Sequence, residues 1–211
     1  MCNVARELIR GQGEYTLCRQ ELGRRSGVSE CQVRSLFPCD SDLRLSIAES
    51  EFYTSFKHLE YSVRFHRHPA KALLYHACWK VYEAKVMGRI GPEKLVPCEA
   101  ALFSAGKEFS RRYLRALANY EDYLVNQLKP WASMSLGDAM GLYQWVVEGH
   151  LLVMELHGDH SSEGYRALVD GIGKLLEIEP DGRPSDEELQ QWRISDFSAA
   201  DPYESTLAVS G

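Results

Sequence analysis

The chain has 211 residues, 45% of them hydrophobic, and its 24 Lys and Arg against 30 Asp and Glu give a formal net charge of −6. That length and apolar content allow one mid-sized domain or a small head on a larger body. No stretch approaches the ~18 uninterrupted apolar residues of a membrane span, and Arg6, Glu7 and Arg10 interrupt the place where a secretory leader would be apolar, so a cytoplasmic protein with no membrane partner is expected.

In chain order, Ala5, Leu8 and Ile9 predict a short helix ending at Gly11. Residues 17–29 then read LCRQELGRRSGVS, in which Leu22 and Val28 can bury between two helices joined at Gly27. Glycine suits such a joint because a sharp helix-to-helix turn usually visits positive φ. Ser29 followed by Gln32 is a capping box, so a further helix should start at residue 30 and run to about Phe37. Val33 and Phe37 would face inward, leaving Glu30, Cys31, Gln32, Arg34 and Ser35 outward.

A short helix presented by its N-terminal end fits the major groove of double-stranded DNA. Gln32 has the groups for paired hydrogen bonds to an adenine, and Arg19, Arg34 and the helix N-termini suit phosphates. The candidate DNA-contacting set is therefore Arg19, Ser29, Glu30, Cys31, Gln32, Arg34 and Ser35. Residues 1–46 carry seven arginines against six acids, so binding must rest on the placement of individual charges rather than on a basic surplus.

Further along, Leu45, Ala48, Phe52, Phe56, Leu59 and Val63 step by threes and fours and predict a long helix after Asp40. Pro69 suits the first turn of the next, which carries Leu73, Cys78, Trp79 and Tyr82 and ends near Gly88; Pro92 opens a shorter one through Phe103. After Gly106 the series Phe109, Tyr113, Leu117, Tyr120, Leu124, Leu128 repeats the spacing until Pro130. Residues 136–156 are apolar on more than one face, which implies packing on two sides, and Tyr165, Leu168, Ile172 and Leu175 make a last amphipathic helix. Residues 177–211 hold nine acids against two arginines, a net of −7 that leaves +1 on everything before them, and are expected to be largely mobile.

The six cysteines, Cys2, Cys18, Cys31, Cys39, Cys78 and Cys98, form no CxxC pair and read as reduced thiols; Cys18, Cys31 and Cys39 lie near arginines that would lower a thiol pKa and so make redox sensing a subsidiary reading. Neither His66 with His68 nor His157 with His160 has the third partner a metal needs. No Gly-rich phosphate loop, nucleophile elbow or HExxH occurs, and neither catalysis nor a cofactor is expected.

Leu22-Gly23, Ser26-Gly27-Val28-Ser29, Phe37-Pro38 and Leu43 follow in order the apolar-Ala, Ala-Gly-Val-Ser, Tyr-Phe and Lys-Leu pattern of a known head, and the segment resembles the TetR family of bacterial transcriptional regulators. The stretch 143–158, with Val147-Glu148-Gly149-His150-Leu151-Leu152, is similar to that family's dimer-forming helix. Three positions depart from the pattern: Arg34 stands where a phosphate-contacting Tyr is usual, Leu36 at a His-like position, and Asp40 at the Lys. The first helix is expected to begin almost at Met1, with no basic arm before it.

The resemblance implies an all-α protein with a three-helix helix-turn-helix head over 1–46, a larger helical-bundle body over 47–178 and an acidic, mobile tail over 179–211. It further implies a homodimer joined through Leu142, Val146, Leu152, Val153, Leu168 and Ile172. A small apolar or aromatic effector would sit among Phe56, Trp79, Tyr82, Phe103, Tyr120, Tyr123 and Trp145 and release the dimer, most simply a repressor, from operator DNA. The alternative is a dimer of the same fold with weakened or lost DNA binding that acts through a ligand or a protein partner, a reading to which Asp40 and the low head charge belong.

Overall fold

Apolar residues at steps of three and four dictate helices, and the computed structural model of the chain, which describes residues 4, 5, 8, 19–85, 91, 95, 96, 99–131, 134–157 and 162–198, has only helices as regular structure among them. In order these are α1 (Arg19–Ser26), α2 (Glu30–Leu36), α3 (Asp40–Phe65), α4 (Pro69–Lys85), α5 (Glu99–Ser104), α6 (Lys107–Leu128), α7 (Leu136–His157), α8 (Ser162–Leu175) and α9 (Asp186–Ser198). Single 3₁₀ turns lie at Lys129–Trp131 and Pro180–Gly182. Pro69 begins α4, and Pro130, which has no N–H to give, sits in the turn that ends α6. No helix among the described residues is long and apolar enough to cross a membrane. Ile9, Gly11, Leu17, Cys18, Gly88 and Pro92 lie outside the described residues.

The helices enclose two cores. One gathers Ala5, Leu8, Leu22, Val33, Leu43, Ile47, Leu95 and Tyr113; the other gathers Leu59, Leu74, Val81, Tyr120, Leu124, Tyr143, Val147, Leu168 and Ile172. Phe52 belongs to both, with its ring 5.7 Å from that of Tyr113 and 5.9 Å from that of Tyr120. Helix α3 passes through both cores and packs most extensively on α6. The boundary drawn at residues 46 and 47 therefore falls inside one continuous helix, and the first core borrows the N-terminal half of α3 and of α6.

The acidic C-terminal stretch departs from the expectation of a mobile tail as far as residue 198. Ser185 and Glu188 cap each other, with Glu188 N–H donating to Ser185 Oγ at 3.1 Å and Ser185 N–H to Glu188 Oε2 at 2.7 Å. The helix they start, α9, buries Leu189 and Trp192, with the Trp192 ring against those of Tyr75 and Tyr165. Its acids are met by cations of the body: Lys71 Nζ lies 2.6 Å from Glu188, and Arg166 Nε lies 2.6 Å from Asp186. Two of the acids that argued for solvation are thus matched in space by cations of α4 and α8. Residues 199–211 lie outside the described ones.

One buried carboxylate fixes where the first core meets the second. Asp42, 1% exposed, accepts from Cys39 N–H at 2.8 Å and from Gly106 N–H at 2.7 Å, so it caps its own helix and holds the N-terminus of α6. Ser104, at the end of α5, is tied to the same place through Ser41 Oγ at 2.7 Å and the Cys39 thiol at 3.4 Å. Because a buried donor stripped of its acceptor loses its hydration without compensation, Asp42→Ala should cost about 3 kcal/mol in urea unfolding, and Asp42→Asn, which keeps one carbonyl, distinctly less. A midpoint for Asp42→Ala equal to that of the wild type would show that this carboxylate is not the tie.

Candidate nucleic-acid interface and ligand groove

Helices α1 and α2 form a compact pair. Gly27 has φ +69, the left-handed turn that favours glycine, and Val28 N–H closes it by donating to Gly23 O at 2.9 Å. Gly23 is needed for a second reason: a Cβ there would stand 2.5 Å from the Val28 carbonyl oxygen. Leu22 and Val33 are fully buried between the two helices, whereas Cys31, Gln32, Arg34, Ser35 and Leu36 are exposed. The outward set expected from sequence is therefore brought to one surface, with Glu30 half-buried at its edge.

Two of its side chains are occupied. Gln32 Oε1 accepts from both Ser29 N–H and Ser29 Oγ–H at 2.9 Å, while Gln32 N–H donates to Ser29 Oγ at 3.2 Å. The capping box read from sequence thus uses the oxygen that a paired adenine contact would need, and that contact requires the box to open. Arg34 lies 2.7 Å from Glu30 one turn away.

The other arginines of the segment are paired too. Arg24 and Arg25 both reach Glu21, and their hydrogen bonds hold its carboxyl down at about 2. Arg19 lies 2.8 Å from Asp40 and also donates to Pro38 O at 3.3 Å. Asp40, the acid that stands where the family pattern has Lys, holds α1 against the start of α3 while remaining largely exposed. Of the three head cysteines, burial pushes the Cys39 thiol up, away from an activated thiolate, and Cys18 lies outside the described residues; burial pushes Cys78 in the body up much further.

The aromatic residues expected to form one chamber are dispersed. Phe56 and Tyr123 meet edge to face at 5.1 Å and line an open groove of about 1130 Å³ between α3 and α6. Tyr120 is buried in the second core, where Trp79 and Tyr82, both half-buried, pack against it from α4. Phe103, 85% exposed, stands on α5 beside Leu114, and Trp145, 77% exposed, projects from α7. Neither shares a cavity with Phe56, because the period that placed them on a helix face did not say which face turns inward. Sequence reading missed the other groove residues, including Tyr53, Phe109, Arg115, Asn119 and Asn126. For Arg115, Asn119 and Asn126 the signal was a second stripe on α6, at residues 112, 115, 119, 123 and 126, beside the apolar one that holds Phe109.

The expected dimer set also divides. Leu152 and Val153 are exposed on α7, and Leu142 and Val146 are half-buried. Leu168 and Ile172 are 1% exposed within the protomer's own second core, so they do not face outward; the outward line of α8 runs through Glu163, Ala167 and Lys174. Gly137, Gly141 and Gly149 have open space where a Cβ would stand, and Trp145 lies between the last two.

A polar chain unforeseen in sequence crosses the second core. His58 Nδ1 lies 3.1 Å from His76 Nδ1, His76 Nε2 lies 3.1 Å from Tyr120 OH, and Ser62 Oγ lies 3.4 Å from His58 Nδ1. Trp79 stacks on His58 at 4.1 Å. One imidazole must donate across the Nδ1 pair and the other accept, so the contact links α3, α4 and α6 only while the pair is not doubly protonated.

No family model, no curated protein and no solved structure matches the chain.

Burial, then the neighbouring His58 and Lys80, hold His76 neutral well below the ordinary imidazole range. An unfolded histidine takes its proton near pH ~6.5, so the unfolded chain binds more protons below that value and stability is lost as pH falls through it. The melting temperature should drop between pH 7.5 and 5.5, and His76→Gln should flatten that drop, leaving a remnant from His66, which burial also depresses. An undiminished drop in His76→Gln would assign the acid sensitivity elsewhere.

Proposed function

We propose that the protein is a ligand-responsive transcriptional regulator that binds double-stranded operator DNA as a homodimer, in the manner of the TetR family its head resembles. The observation that carries this reading is the α1–Gly27–α2 unit, in which two short helices meet at a left-handed glycine and the second turns a polar, arginine-bearing side to solvent. The head acts by phosphate contacts from Arg34 and Arg19 and by base-edge contacts from the outward residues of α2.

The ion pairs of the head bear on this reading. Pairs exposed as Glu30 and Arg34 are, one turn apart on a helix, are worth about 0.3–0.5 kcal/mol, so a phosphate can replace the carboxylate at small cost. The same pairing favours the second reading, a dimer of this fold with little DNA affinity, because the cations of α1 and α2 are already matched by acids. Salt separates the two. A duplex from the region upstream of its own gene should be retarded by the dimer with an affinity that falls steeply as salt rises. Arg34→Ala should weaken binding to all sequences and reduce the salt slope by about 1. Retardation that is absent at low salt, or indifferent to Arg34, would leave the second reading.

In this reading the dimer forms through the outer side of α7, supported by the exposed apolar face of Trp145, Leu152 and Val153 beside glycines that would let a second backbone approach. An interface that repeats itself about a two-fold axis can set the Trp145 of each subunit over the Gly141 or Gly149 region of the other. Trp145→Glu should convert the dimer to monomers in analytical ultracentrifugation without changing the helical signal in circular dichroism. Intact dimers would move the interface off this face.

A further inference from the structure

The α3–α6 groove combines features that the packed interior lacks. Its volume of about 1130 Å³ suffices for a drug-sized molecule. Its apolar surface comes from Phe56 and Tyr123 in edge-to-face contact, with Tyr53 left 59% exposed beside them. Its charges are unevenly matched. Arg112 is tied to Glu49 at 2.7 Å and Lys57 to Glu60 at 3.0 Å, whereas Arg115 has no partner among the described residues.

We propose that this groove binds an amphipathic organic anion, its carboxylate held by Arg115 and its apolar body laid along the rings of Phe56 and Tyr123. A guanidinium offers a planar fork that matches a carboxylate, and the amide of Asn119, one turn further along α6, is placed to add a hydrogen bond. Arg115 and Tyr123 are eight residues apart on one helix, a rise of ~12 Å, so a carboxylate and a ring separated by ~10 Å fit the two ends. Asp122 lines the groove at the Tyr123 end and repels an anion there, which sets the orientation of the ligand.

The proposal deepens the regulatory reading, and rests on it only for its consequence. Leu36 and Phe37, at the end of α2, line the same groove, and Phe37 packs on Phe109 with ring centroids 6.0 Å apart. They lie at the Phe109 end, on the other side of Arg115 from Tyr123, so occupancy and the placement of the head are coupled through the α3 and α6 walls that the ligand and Phe37 share.

Calorimetric titration of the full-length protein tests the site, with 8-phenyloctanoate below its micelle concentration as probe and 8-phenyloctan-1-ol as its uncharged counterpart. One acid should bind per protomer, at least ten-fold more tightly than the alcohol. Arg115→Gln, a change at an exposed helical position, should weaken the acid ten-fold or more and leave the alcohol unchanged, while Phe56→Ala should weaken both. Equal affinity of wild type and Arg115→Gln for the acid, or no saturable binding by the wild type, overturns the assignment. No DNA enters the titration. Arg115-dependent binding by a protein that retards no duplex would sink the DNA reading alone, and retardation without such binding would sink the groove alone.

Discussion

The arrangement depends on a carboxylate taken out of water. Asp42 is enclosed, and a charge so placed is tolerated because two backbone N–H groups are delivered to it, one from Cys39 before α3 and one from Gly106 before α6. These two contacts fix the N-terminal ends of two long packed neighbours, α3 and α6, against each other. From that anchor the helices run alongside, Phe52 passes the contact from one core to the next, and the groove opens between their outer faces. The α1–α2 pair rests on the same anchor through Phe37 against Phe109 and through Arg19 bound to Asp40.

Charge in the N-terminal segment follows a different rule from charge in the interior. Its ion pairs join exposed partners and contribute little to stability, so they leave the arginines exchangeable. In the body, Lys71 with Glu188 joins α4 to α9, which are far apart in the chain, and the exposed Asp186 pairs with Arg166 of the preceding helix, while buried Leu189 and Trp192 hold α9 against the core. The buried His58–His76–Tyr120 chain is a third case: neutral groups, satisfied by one another, that specify how α3, α4 and α6 register and that make the core sensitive to acid.

Much of the helical layout was legible in the residues. The run from Leu45 to Val63, the series from Phe109 to Leu128, the prolines at 69 and 130 and the Ser29–Gln32 box all carry local rules whose outcome no distant contact overrides. The positive φ at Gly27 is of the same kind. Less legible was the acidic segment after Glu179, where composition argued for solvation although Ser185-x-x-Glu188 ahead of Leu189 and Trp192 already spelled a capped, half-apolar helix.

Helix positions and the local caps at Ser29 and Ser185 were thus determined by the sequence alone, because hydrophobic period, proline and capping chemistry act over a single turn. Only the tertiary structure decided which face of each helix is covered. It sent Leu168 and Ile172 inward and Trp145 and Phe103 outward, brought Asp40 to Arg19, set His58 against His76, and left Arg115 facing a groove. The physical reason is that a helix with apolar residues on two sides satisfies its own backbone equally well in either rotation, so the choice belongs to the neighbours that pack on it.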